Sequence, residues 1–186
     1  MSFRSILEFD ARLSDRLRVA EQPGLLRTLA VIFAHSGDSW FWWAALLALW
    51  FFSDSQWKRW EVVEFVGILA LAAIVMSIKF TVRRRRPEGE WGGIYRNTDP
   101  HSFPSGHAAR GFLIAVLATG LAPGWLAVLL WVWAPLLCLA RVAMGVHYVS
   151  DVVAGAALGA IVGVIGLQLY PVIFQVWENL THFPLW

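Results

Sequence analysis

Five apolar stretches, at approximately residues 38–53, 61–82, 106–122, 125–144 and 149–172, take up more than half of this 186-residue chain. A membrane-crossing helix needs roughly 20 such residues, with a range of about 17–25. In hydrocarbon, backbone polar groups must be satisfied within the segment, so runs of this length become helices. The expected fold class is therefore all-α: a polytopic helical membrane protein with five or six transmembrane helices, in a single domain over residues 1–186. The chain is 58% hydrophobic and 15% charged, against about 45–50% and about 25% in ordinary soluble domains. That composition speaks against a soluble enzyme and against a disordered tail. A disulfide-stapled secreted domain is also disfavoured, because Cys138 is the one cysteine.

Residues 2–20 carry charges throughout and lack the apolar core of a cleavable signal peptide. Phe3, Ile6, Leu7, Leu13, Leu17 and Val19 recur at nearly helical spacing, which predicts an amphipathic interfacial helix over residues 1–22. A frayed polar terminus is the alternative. Pro23-Gly24 punctuates its end. The run at 38–53 is short, about 24 Å for 16 residues. Either it borrows length from residues 25–34 across a break at His35-Ser36-Gly37-Asp38, or residues 24–35 form a separate short or re-entrant helix.

Residues 53–60 read as a short loop and 122–124 as a tight turn. Residues 87–105 are the only long loop, and long loops in compact domains are usually functional or disordered. Gly155, Gly159 and Gly163 lie four apart and share one face of the last span. They suit close packing within the chain, or a dimer seam. Tryptophans at 40–43, 57–60, 125 and 177 sit near span ends, as in an interfacial aromatic belt.

Ionisable residues inside spans are costly and are functional candidates by default. Lys79 lies near the end of the second firm span, followed by Arg83 to Arg86 and then Pro87, which should stop the helix near Arg86. Lys79, Arg83 and Arg86 then share one helical face, where three cations repel each other unless an anion sits among them. Arg84 and Arg85 read as a basic cluster touching lipid head groups. Ser105 can cap the third span, where free N–H groups and the helix dipole offer an anion site. Gly106 lets an anion approach the backbone, and His107 lies in the first turn.

Arg141 lies near the end of the fourth span. His147 and Asp151 are four apart and are expected to share a helical face. The carboxylate would fix the imidazole tautomer and leave the other nitrogen as nucleophile or base. Alternating spans bring all three clusters to the same membrane face. Lys79, Arg86 and Arg141 can then clamp a phosphate while His107 and His147 supply acid and nucleophile. No carboxylate cluster and no His-x-x-x-His pair suggests a metal site.

Lys79-x6-Arg86-Pro87, Pro104-Ser105-Gly106-His107 and Arg141-x5-His147-x3-Asp151 resemble the three signatures of the type 2 phosphatidic acid phosphatase superfamily in order, spacing and residue type. Ala140 stands where the third signature often has Ser. The catalytic motifs cover residues 79–151. The resemblance implies a membrane lipid phosphatase that works through a phosphohistidine, with no metal and no cofactor. By matching position it makes His147 the nucleophile and Asp151 the group that orients it. His107 protonates the leaving oxygen and then helps activate water. Lys79, Arg86 and Arg141, with Ser105 and Gly106, hold the phosphoryl oxygens.

A lipid phosphotransferase of the same family is one alternative, and a non-catalytic phospholipid-binding or transport protein is another. The intact His107, His147 and Asp151 speak for an enzyme. The expected partner is a lipid phosphate within the bilayer; the candidates are polyprenyl diphosphate, phosphatidylglycerol phosphate, phosphatidic acid and lipid A phosphate, and the resemblance puts undecaprenyl-type diphosphate or phosphatidylglycerol phosphate first. His35 and His182 are expected to be interfacial or packing residues. Asp99 and His101, near the second motif, could touch a head group, but a turn role is the expectation. Glu88, Glu90, Trp91, Tyr95 and Arg96 could form part of the pocket rim.

The pI of about 9.0 could suggest nucleic acid. The net charge is only +2, however, and the basic residues adjoin apolar runs, so anionic lipid head groups are the more economical partner. Under the five-span count, thirteen of the fifteen Lys and Arg residues fall on the motif face and two, Lys58 and Arg59, on the other. The positive-inside rule then puts the motifs on the cytoplasmic side, though a sixth span near residues 24–35 would move the N-terminus across; the expected location is the cell inner (cytoplasmic) membrane, as a multi-pass protein.

Overall fold

The computed structural model describes residues 3–20, 22–97 and 99–181, apart from the side chains of Phe3, Gln56, Glu90, Arg96 and Thr181. His182 and the rim side chains of Glu90 and Arg96 therefore lie outside the described residues. The helices are α1 (Phe3–Arg16), α2 (Leu25–His35), α3 (Ser39–Trp50), α4 (Ser55–Val82), α5 (Glu90–Arg96), α6 (Gly106–Leu121), α7 (Gly124–Ala143) and α8 (Val149–Thr181). Within them Trp57–Val82, Gly124–Ala143 and Val149–Leu180 are long and apolar enough to cross a membrane.

The sequence boundaries shift in physically readable ways. The break at 36–38 separates α2 from α3, and α2 has 11 residues, about 16 Å or roughly half a hydrocarbon core. Residues 55–60, expected in a loop, form the first turns of α4, where the Asp54 carboxylate accepts the Trp57 backbone N–H at 3.2 Å. The long loop contains the short helix α5. Ser105 caps α6, its Oγ accepting from the Ala108 N–H.

Helix α6 is the centre of the bundle. Ala108, Leu113, Ile114, Ala115, Leu117 and Ala118 are buried on it, against α4, α7 and α8. Gly155, Gly159 and Gly163 turn toward α6. A Cβ at Gly159 would overlap the Ala109 carbonyl, and one at Gly163 would lie 2.9 Å from Val116 Cβ. The four-residue glycine spacing thus serves close packing within the chain. Close approach of α6 and α8 brings the start of one beside the start of the other, and the Ser105 N–H donates to the Asp151 carbonyl at 2.9 Å.

The N-terminal amphipathic helix is present and leaves Ile6 and Phe9 exposed. Its inward face is polar: Ser14 Oγ accepts from the Val149 N–H and Asp10 Oδ1 from the Ser150 N–H. Two α1 side chains therefore satisfy orphan donors at the start of α8. Gly145 adopts φ +67, and a Cβ there would lie 2.6 Å from Arg18 Cδ, so both backbone and space call for glycine. Trp40, Trp125 and Trp177 are exposed. Trp60 instead is buried, and Trp42 packs against Trp133 with tilted rings 5.3 Å apart between centres; Trp60 and Trp42 fill the bundle and are not part of a belt.

Candidate active site

Helix α4 ends at Val82, one turn earlier than Pro87 suggests. Arg83 takes φ 52, and the chain then runs extended, with Arg85 paired to His101 and the Ser102 N–H donating to the Arg84 carbonyl at 2.8 Å. Lys79 and Arg86 are therefore not neighbours on one helical face; a turn of the chain brings them together. The Lys79 ammonium donates to the Asp99 carboxylate and to the His101 carbonyl at 2.9 Å. Arg86 donates to Asp99 Oδ2 at 2.8 Å, to the Asp99 carbonyl at 2.6 Å and to the Val146 carbonyl at 2.9 Å. Its Nη1 also lies 3.2 Å from His147 Nε2.

Arg141, at the end of α7, is fully buried. Its Nη1 donates to the Tyr95 hydroxyl at 3.1 Å, with the guanidinium 4.7 Å from that ring centre. Its Nε and Nη2 are buried without a hydrogen-bond partner among the described residues. Unmatched buried donors on a cation are costly and call for an anion.

His147 precedes α8, so the expected helical face with Asp151 does not form. Nδ1 and Asp151 Oδ2 are 3.6 Å apart, beyond a hydrogen bond. Asp151 is instead held by the Tyr148 N–H at 2.9 Å and by Arg84 Nη1 at 2.7 Å. Burial, followed by the charges of Arg86, Arg141 and Lys79, holds the His147 imidazole well below its ordinary pKa. It is thus neutral near pH 7, with a lone pair available.

Lys79, Gly106, His107, Arg141 and His147 line one cavity of about 320 Å3. Ser105 is buried beside it at the α6 cap, and Asp151 lies behind His147. Away from Lys79, toward the start of α4, the lining is apolar: Met76, Val75, Ala72, Leu71 and Ile68. The cavity is therefore cationic at one end and apolar at the other. Among the described residues no group of three or more His, Cys, Asp or Glu could hold a metal ion.

The profile of the PAP2 superfamily matches residues 61–175. The chain belongs to the PAP2 superfamily. Decaprenylphosphoryl-5-phosphoribose phosphatase of Mycobacterium tuberculosis is 36% identical over 151 residues, covering 79% of this chain and 81% of that protein. Aquifex aeolicus LpxE superposes with TM-score 0.65 at 26% identity, over 83% of this chain and 93% of that one. The PAP2-type phosphatidylglycerolphosphate phosphatase of Bacillus subtilis gives TM-score 0.73 at 22% identity, over 91% and 88%, and supports the fold. This PAP2 chain is accordingly a membrane lipid phosphatase.

Four residues of this candidate site escaped the sequence. Arg84, expected at lipid head groups, bridges Asp151 and Asp10 at 2.7 Å each and lies 4.0 Å from the Tyr148 ring centre. Asp38 reaches His107 Nε2 at 2.7 Å. His35, expected to pack or sit at the interface, has its Nδ1 3.2 Å from the same carboxylate. Asp99, expected to serve a turn, sits on two cations of the clamp. Burial would raise its carboxyl, but the hydrogen bond and charge of Lys79 and the charge of Arg86 outweigh that and hold it below the usual carboxylate range.

A phosphate held by Lys79 and Arg86 would compete with Asp99 for them. Asp99→Asn is expected to tighten inhibition by inorganic phosphate about tenfold, the scale of one hydrogen bond to a charged group. Unchanged or weaker inhibition would mean that Asp99 only holds the two cations in place.

Proposed function

We propose that this phosphatase removes the terminal phosphate of a membrane lipid through a phosphohistidine on His147, without a metal. The observation that carries this reading is the two-ended cavity. Three buried cations and two imidazoles stand at one end and the apolar wall of α4 at the other, which fits a phosphate attached to a tail that stays in the bilayer.

The His147 Nε2 lone pair attacks phosphorus. The bond to the leaving oxygen breaks, its electron pair staying on that oxygen, which takes a proton from His107. Water then gives a proton to His107 and attacks phosphorus, and the N–P bonding pair returns to His147. Asp151 lies where it can stabilise positive charge at Nδ1. Lys79, Arg86 and Arg141, with Ser105 and the Gly106 backbone, hold the phosphoryl oxygens. Fixed cations do here what metal ions do at other phosphoryl-transfer sites.

The substrate class that best fits is a phosphomonoester on a polyprenyl-linked head group, ahead of phosphatidylglycerol phosphate and phosphatidic acid. The likeness to a phosphatase named for a decaprenyl-linked phosphoribose supports that order. The excess of Lys and Arg on the motif face supports a site on the cytoplasmic side of the membrane.

Detergent-purified protein is expected to release phosphate fastest from a polyprenyl-linked phosphomonoester, at the same rate with and without EDTA. A requirement for added Mg2+ contradicts the metal-free step. No release from any of these lipids contradicts the assignment.

A further inference from the structure

A second carboxylate–imidazole pair stands in this site. Asp38 Oδ1 lies 2.7 Å from His107 Nε2, closer than Asp151 comes to His147. Asp38 Oδ2 faces His35 Nδ1 at 3.2 Å and the Trp40 Nε1–H at 3.4 Å. The turn that carries Asp38 is fixed from three helices. Arg110 of α6 donates to the Gly37 carbonyl, Trp42 of α3 to the Ser36 carbonyl at 3.0 Å, and Trp133 of α7 to Ser36 Oγ at 2.8 Å. Gly37 packs against the imidazole itself: a Cβ there would lie 2.8 Å from Leu137 and 3.3 Å from His107 Cδ2.

We propose that Asp38 is a positioning residue for His107: it accepts the Nε2–H, which makes Nδ1 the atom that protonates the leaving oxygen, and it balances the charge of the imidazolium that must form first. This rests on His107 being the acid of the proposed reaction. The charged groups facing the ring are Arg141 from α7, Arg110 on α6 and Asp38 from the α2–α3 turn. Two of these add positive charge beside a ring that must itself become positive; Asp38 is the one that opposes it. The partly buried pair fixes tautomer and orientation as a carboxylate does for a metal-bound or catalytic histidine. During the step the P–O electron pair stays on the leaving oxygen, the proton passes from Nδ1, and Nδ1 keeps the pair with which it later takes a proton from water.

The test is leaving-group dependence. Wild type, Asp38→Asn and His107→Ala are compared on dioctanoyl phosphatidic acid, whose alkoxide needs a proton, and on 4-nitrophenyl phosphate, whose phenolate does not. General acid catalysis contributes about 10²- to 10⁴-fold. The comparison is made in kcat/KM, which covers the leaving-group step and not the hydrolysis that both substrates share: Asp38→Asn is expected to lower it on the lipid roughly 10- to 100-fold and on the aryl ester less than about threefold, with the alkaline limb of the lipid profile moved to lower pH. Asp38→Glu, which keeps the charge, is expected to recover part of the lipid rate. Asp38→Ser keeps an acceptor without the charge; it carries the same expectation as Asn and serves if that variant does not fold. Equal losses on both substrates for the Asp38 variants, beside a lipid-selective loss for His107→Ala, overturn the proposal and leave His107 as the acid. Equal losses for His107→Ala overturn the assignment of the acid, and the proposal with it.

Discussion

His147→Ala is expected to lower lipid-phosphate turnover by roughly 10⁴- to 10⁶-fold, the scale seen when a covalent nucleophile is removed from a hydrolase. The side chain is buried and neutral, and its Nδ1 has no hydrogen-bond partner among the described residues, so truncation strands no ion pair. Arg86 keeps the Asp99 and Val146 oxygens, and Asp151 keeps Arg84 and the Tyr148 N–H. The variant should therefore retain its helix content and its elution volume in detergent. Retention of more than about one hundredth of the wild-type rate would contradict a reaction that passes through this nitrogen.

Gly159→Ala is expected to have the largest effect on folding. Its Cβ would overlap the Ala109 carbonyl, and backbone cannot give way as a side-chain tip can. Overpacking of this kind typically costs about 1–3 kcal/mol and more when the neighbour is rigid. The contact joins α6, which carries Ser105 to His107, to α8, which carries Asp151, so activity should fall with stability. Gly124→Ala is the control: nothing lies within 4 Å of a Cβ there, and its effect should stay within about 0.5 kcal/mol. Equal thermal unfolding midpoints for the two variants would contradict this packing.

What the sequence revealed depended on whether the cause was local. Apolar runs, and ionisable residues inside or beside them, leave a signal wherever they occur, so the long helices and the candidates Lys79, Arg86, His107, Arg141, His147 and Asp151 were legible. The Ser105 cap was legible because its chemistry is complete within four residues. The end of α4 was not. The proline rule pointed to Arg86, but pairing of Arg85 with His101 draws the chain out from Arg83 onward.

Arg84 beside a helix end looks like a head-group contact; its partner Asp10 is 74 residues away. The amphipathic pattern of α1 gave the helix but not the use of its polar face, because Asp10 and Ser14 act on α8. Asp38 and Asp99 are single carboxylates in a turn and a loop. No spacing marks them, and only the tertiary fold sets one on His107 and the other on Lys79 and Arg86.

The most direct test of the central claim is to look for the covalent intermediate. Purified protein turning over phosphatidic acid labelled with ³²P in its phosphate is quenched in alkali within milliseconds, digested and mapped. The expected result is an alkali-stable, acid-labile label on the peptide that contains His147, formed at least as fast as phosphate is released and missing from His147→Ala. Full turnover with no label, or a label on a hydroxyl or carboxyl side chain, would contradict the phosphohistidine mechanism.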